Sequence, residues 1–90
     1  MSVNILIPPF LKHLTDNARA VSVTGNTVSE CLNDFVEQYP GIEEHLFDKD
    51  GGLRGYIEVF INSNSTYPEE LTMQVNSGDE LSILFLVAGG

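Results

Sequence analysis

The sequence predicts an α+β fold: a mixed sheet of four to five strands with one main helix packed on one face. Three observations lead there. Ninety residues at 42% apolar content supply one small core, burying about 60–65% of the unfolded surface. A single strong helical pattern sits among several short strand patterns. Strand patterns also open and close the chain, so a helix-bearing middle can serve as the crossover between two parallel neighbours.

The elements follow in order. Val3-Asn4-Ile5-Leu6-Ile7 alternates as a strand and is stopped by Pro8-Pro9. Phe10 to Ala18 reads as a loop or an elaborated hairpin connection, and Arg19-Ala20-Val21-Ser22-Val23 as a second strand turned by Thr24-Gly25-Asn26. Thr27 then caps a helix, with Glu30 as the other half of a capping box. Val28, Cys31, Leu32, Phe35, Val36 and Tyr39 recur at helical spacing, and Pro40-Gly41 ends the run. A short helical turn through Ile42, Leu46 and Phe47 leads into an exposed loop, Asp48 to Gly52.

Tyr56 to Ile61, rich in β-branched and aromatic residues, is the next strand. Asn62-Ser63-Asn64-Ser65 turns the chain, with room for a brief pairing back. Pro68 to Leu71 predicts one irregular helical turn and Met73 to Val75 a weak strand. Ser77-Gly78-Asp79 turns into the last strand, Leu81 to Val87. One helix covers only one face of such a sheet. With the first and last strands as central parallel neighbours, this is the β-grasp, or ubiquitin-like, arrangement. A single domain over 1–88 followed by a flexible Gly-Gly tail, 89–90, is expected.

Charge and cysteine use exclude several functions. Thirteen acidic residues against four basic ones give a net charge of −9. Phosphate backbones and anionic lipid surfaces are repelled, so neither nucleic acid nor membrane is an expected partner, whereas a basic protein surface would be steered in. No apolar stretch is long enough to span a bilayer, and no basic segment precedes the first strand. The expectation is a soluble cytoplasmic protein. Cys31 alone makes no internal disulfide, iron–sulfur cluster or cysteine zinc site, which removes a β-grasp ferredoxin from consideration.

The sequence closes on Gly89-Gly90, directly after an apolar run. At about 7% glycine usage such an ending arises by chance in roughly 0.5% of chains. Lacking Cβ atoms, Gly-Gly enters channels too narrow for other residues and leaves a terminal carboxylate unshielded.

The segment from Asn76-Ser77-Gly78-Asp79-Glu80-Leu81 through Val87-Ala88-Gly89-Gly90 resembles the C-terminal signature of the MoaD/ThiS family of ubiquitin-like sulfur carriers. There a Gly-Asp-Glu turn feeds a last strand ending in Gly-Gly. The resemblance extends to the opening strand, the Thr-capped helix ending near Tyr39-Pro40-Gly41, and the Ile61-Asn62 pair before a turn. Two features depart from it. Phe85-Leu86 stand where family members carry prolines, and extra residues lie around 47–55, a stretch that resembles the CysO-type carriers of cysteine synthesis.

The resemblance implies a chemistry. A carboxylate is a poor electrophile until it is given a good leaving group. Adenylation by a ubiquitin-activating-type adenylyltransferase, MoeB- or ThiF-like, would supply AMP as that group, using ATP and Mg²⁺ that the partner holds and this chain does not bind stably. A sulfur donor then yields a thiocarboxylate at Gly90, with Gly89 threading and Ala88 and Val87 as small channel contacts. A MoaE-like or cysteine-synthase-like enzyme would accept the sulfur, in molybdopterin-type or cysteine biosynthesis. The chain itself is expected to be no enzyme: Gly51-Gly52-Leu53-Arg54-Gly55 has neither a Walker lysine nor Rossmann spacing. A ubiquitin-like modifier joined to target lysines, or a passive interaction domain, are the other readings of the same residues.

A docking surface follows from strand alternation. Leu81, Ile83 and Phe85 are expected in the core with Val3, Ile5 and Ile7. The opposite face would show Leu6, Leu84 and Leu86, joined by Phe60, as an apolar partner site. Cys31 sits on the helix's apolar stripe and reads as core. His13 and His45 are isolated, and Glu43-Glu44-His45 is a solvated turn rather than a ligand set.

Overall fold

The computed structural model describes residues 2–67 and 69–85. Five strands form one sheet: β1 (Val3–Leu6), β2 (Ala20–Val23), β3 (Ile57–Ile61), β4 (Asn64–Ser65) and β5 (Glu80–Phe85). Their spatial order is β2-β1-β5-β3-β4. β1 runs parallel to β5, while β1/β2, β3/β5 and β3/β4 are antiparallel. The first and last strands are the central parallel pair that the sequence calls for, and the arrangement is the β-grasp.

The main helix, α1 (Val28–Gln38), lies on one face of the sheet and buries Val28, Cys31, Leu32 and Phe35. Against it stand the inward residues of the strands, Val3 and Ile5, Val21 and Val23, Ile57 and Val59, Leu81 and Ile83. Leu11, Ile42 and Leu46 close the same core from the connections. Leu46 belongs to a short second helix, α2 (Glu43–Leu46), which follows a 3-10 turn at Pro40–Ile42.

Local chemistry sets the helix start. Thr27 is extended, and its Oγ1 accepts the Glu30 N–H at 3.1 Å. The Glu30 carboxylate reaches back one residue further than a standard capping box, accepting the Asn26 N–H at 2.8 Å. Gly25 is required there. A Cβ on it would lie 2.8 Å from the Cys31 nitrogen and 2.8 Å from the Glu30 Cβ, inside contact distance.

One sequence expectation is sharpened and two are corrected. Phe10 to Ala18 is an elaborated connection between the antiparallel β1 and β2: Pro9–Leu14 winds into a 3-10 helix that Pro9 initiates, burying Leu11. Met73 to Val75 makes no strand, only a single bridge from Gln74 to Thr27. Its backbone serves the helix entry instead, Val28 N–H donating to the Met73 carbonyl at 2.9 Å and Val75 N–H to that of Asn26 at 3.0 Å. Phe85 is not core but 47% exposed. It shares the inward alternation of Leu81 and Ile83, yet it stands at the strand end against Phe10 and Tyr56 rather than under α1. The last strand is described to Phe85, so the expected continuation through Val87 and the Gly-Gly tail lie outside the described residues.

Candidate functional site

β5 is held at its entry by a side-chain network. Asp79 closes its own turn, Oδ2 accepting the Asn76 N–H at 2.7 Å, while Oδ1 accepts the Asn62 Nδ2–H at 2.9 Å. The Asn62 side-chain oxygen accepts the Glu80 N–H at 2.9 Å, and the Asn62 N–H donates to the Glu80 carbonyl at 2.8 Å. The Gly-Asp-Glu turn and the Ile-Asn pair, separate in sequence, are therefore one hydrogen-bonded unit. The Asn76 N–H first, then the Asn62 amide, stabilise the Asp79 carboxylate and hold its pKa below the ordinary value. Asn62 and Ser63 both have positive φ, 49° and 76°, the signature of a tight two-residue hairpin turn between β3 and β4.

On the face turned away from α1, Leu6 and Phe60 are both registered with Ser82, one from each side. Leu84 follows two residues along β5, beside Glu58. Leu6 and Leu84 are exposed, at 37% and 44%, while Phe60 is half-buried. The structure thus brings Leu6, Phe60 and Leu84 together on one surface. Leu86 lies outside the described residues. Glu58 and Glu80 share this face by alternation.

Where β5 leaves the sheet, Pro8, Pro9, Phe10, Ile83, Leu84 and Phe85 line an open apolar groove of about 390 Å³. The Phe10 and Phe85 rings meet edge to face with centroids 4.9 Å apart, and Tyr56 tilts against Phe85 from the other side at 4.7 Å. Sequence reasoning missed Phe10, which lies off any strand pattern, and the role of Tyr56, which it counted into the strand that the structure starts at Ile57. Their proximity to Phe85 follows only from the β3/β5 register and the path of the 3-10 segment. The proline pair before Phe10 was the available signal.

Gly90, Gly89, Ala88 and Val87, expected to carry and thread the reacting end, lie outside the described residues. What the structure gives is the strand that leads to them, paired with β1 over residues 80–82 and with β3 over residues 81–85.

Other candidates resolve to structural roles. A polar hollow of about 580 Å³ lies between the start of α1 and the Asp48–Arg54 loop. Two of its charged groups, Asp48 and Arg54, hold the loop and its neighbouring helix. Asp48 Oδ1 accepts the N–H groups of Asp50 and Gly52 at 2.9 and 3.1 Å, and Arg54 Nε–H donates to the Glu44 carbonyl at 2.6 Å. Cys31 is fully buried. Burial first, then the nearby Glu30 and Asp34 charges, push its thiol pKa up, away from reactivity. Among the described residues no three His, Cys, Asp or Glu side chains group to hold a metal, and no helix is long and apolar enough to cross a membrane.

Comparison with known proteins agrees with this geometry. The model of the ThiS family matches residues 5–90. The sulfur carrier protein CysO of Mycobacterium tuberculosis is 31% identical over 93 residues, spanning 100% of both chains. A chain of the Amycolatopsis orientalis BexX/CysO complex superposes with a TM-score of 0.88 at 32% identity, covering 98% of this chain and 99% of that one. SAMP1 from Haloferax volcanii superposes at 0.86 with 28% identity over 100% of each.

Proposed function

The chain belongs to the ThiS family, and we propose that it is a sulfur carrier whose own C-terminal carboxyl, on Gly90, is the reacting group. The observation that carries this reading is that the family match runs through Gly90 itself, on a chain similar along its whole length to the sulfur carrier protein CysO.

In this reading the Gly90 carboxylate attacks the α-phosphorus of ATP on a MoeB- or ThiF-like adenylyltransferase, with Mg²⁺ held there, and pyrophosphate leaves. A hydrosulfide-level donor then attacks the acyl carbon and AMP departs, leaving a terminal thiocarboxylate. No oxidation or reduction is involved. The product is a sulfur nucleophile that an acceptor enzyme, cysteine-synthase-like or MoaE-like, consumes. Gly89 threads the partner's channel, with Ala88 and Val87 filling it. Leu6, Phe60 and Leu84, together with Leu86, form the docking face, and Glu58 and Glu80 beside the first three favour a partner with basic groups around an apolar centre.

The test is intact mass spectrometry after incubation with a ThiF-type adenylyltransferase, ATP, Mg²⁺ and sulfide. One oxygen is replaced by sulfur in the full chain, and the chain lacking Gly90 stays unchanged. An unmodified full chain with an enzyme active on its own carrier would overturn the reading.

The likeness to SAMP1, small archaeal modifier protein 1, supports a second reading, conjugation of Gly90 to lysines. An isopeptide-linked adduct in an extract supplied with ATP would favour it.

A further inference from the structure

We propose that Asn62 is a register pin for β5: a positioning residue, acting through Asp79 and Glu80, that sets how far the last strand runs and hence where the reacting end is presented. The inference rests on the sulfur-carrier reading for its consequence, though the pin itself is a property of the sheet.

The need for a pin comes from the strand's own pattern. A slip of β5 by one residue would turn Leu81 and Ile83 out of the core, so burial forbids it. A slip by two residues is different. Ile83 would take the place of Leu81 and Phe85 that of Ile83, an apolar side chain replacing an apolar side chain each time, and on the outer face Leu84 would stand where Ser82 does. The hydrophobic pattern therefore tolerates a second register, with β5 and whatever follows it drawn back by about 6.7 Å.

Most bonds at the strand's entry cannot tell the two registers apart. Asn62 N–H to the Glu80 carbonyl at 2.8 Å, Asn4 N–H to the Asp79 carbonyl at 3.1 Å and Gly78 N–H to the Ser2 carbonyl at 2.9 Å are main-chain bonds that any residue can supply. The Asn62 side chain can tell them apart. Its Nδ2 donates at 2.9 Å to a carboxylate that only Asp79 offers, and that carboxylate is fixed in turn by the Asn76 N–H at 2.7 Å. In the slipped register the Asn62 amide would meet Leu81 and lose the carboxylate.

The position in the fold suits the task. Asn62 sits in the two-residue β3–β4 turn with φ 49°, a left-handed conformation that Asn and Gly adopt readily. β5 starts at Glu80, so the pin acts at the first residues of the strand and its setting propagates along it. An enzyme that must bring one carboxyl to one phosphate tolerates no misplacement of several ångströms, since about 1 Å already costs on the order of a hundredfold in rate.

Asn62→Gly tests this cleanly, keeping the backbone conformation while removing the amide, and Asn62→Asp is the second variant, near-isosteric but repelling Asp79. Cross-strand NOEs of the intact, labelled chain read the register directly. Single-turnover thiocarboxylate formation with excess adenylyltransferase, well below the unfolding midpoint, reads the positioning. In both variants the balance between registers shifts by about five- to tenfold, the factor that about one hydrogen bond controls, a second set of contacts, Val59 with Phe85 in place of Ile83, appears, and thiocarboxylate formation slows in proportion to the fraction of chains showing that set. A single wild-type register in Asn62→Gly overturns the pin whatever the melting temperature does. A second register with an unchanged rate overturns the positioning role. If the wild-type chain forms no thiocarboxylate, the carrier reading fails, while the NOE pattern still decides whether Asn62 sets the register.

Discussion

Leu6 and Phe60 lie in one row of the sheet's outer face, two strands apart, each registered with the small Ser82 between them. The two large apolar side chains stand on strands about 10 Å apart, with the smaller Ser82 between them and Leu84 two residues further along β5. An apolar centre with a dip suits a protruding apolar side chain of a partner.

Leu84→Asp follows as the sharpest test of that face. Leu84 is 44% exposed but stands opposite Glu58, so an aspartate there lowers stability in urea by about 0.5–1 kcal/mol through like-charge repulsion. Binding to the adenylyltransferase, measured by calorimetry, weakens by about tenfold or more, as loss of an interface anchor does. Equal loss of stability and binding would assign Leu84 to folding instead.

The helix entry yields two graded effects. Thr27→Ala removes the acceptor of the Glu30 N–H and costs about 1 kcal/mol in urea unfolding. Gly25→Ala forces a Cβ into the first turn of α1 and costs about 1–3 kcal/mol, as overpacking does. A harmless Gly25→Ala would show that the turn before α1 moves freely.

Asp79 gives a pH dependence with a definite sign. Its folded pKa is depressed below 3.8, first by the Asn76 N–H and then by Asn62. The stabilisation is fully present above the unfolded value and is lost as pH falls from about 3.8 through the lower folded value. Asp79→Asn therefore lowers stability at neutral pH and flattens the dependence below pH 4, read by thermal unfolding across an acid series. An unchanged acid limb in Asp79→Asn would place that dependence on other carboxylates.

Cys31 is the last test. Buried, with its thiol pKa raised by burial and by Glu30 and Asp34, it reacts with a thiol reagent only as fast as the protein opens. Cys31→Ala costs stability through the cavity it leaves, yet thiocarboxylate formation on the folded fraction keeps its rate. A rate that collapses with Cys31 would bring the thiol into the sulfur path.

The sheet and helix were legible because their patterns are local. Val3 to Leu6 alternates, Val28 to Phe35 repeats at helical spacing, and Thr27 with Glu30 marks the helix start. The central β1/β5 pairing followed from the need for a crossover. The misses share a cause, since each depended on distant partners. Phe85 continues the inward alternation, but whether α1 reaches over it is a matter of the helix's length and placement. Met73 to Val75 has strand composition, yet its backbone is engaged by the turn before α1. Of the candidate site, Leu6, Phe60 and Leu84 were readable from the pleat. The Asn62–Asp79 link was not, because a contact across seventeen residues leaves no periodic trace.

The order β2-β1-β5-β3-β4 also governs how the molecule is made. On the ribosome the two flanking hairpins, β1 with β2 and β3 with β4, emerge before the strand that joins them. Until residues 80–85 leave the exit tunnel, β1 and β3 each keep an unpaired edge, and the core lacks Leu81 and Ile83 at its centre. Folding therefore completes only once β5 is available, and a nascent chain stalled short of β5 remains two loose halves that proteases can cut.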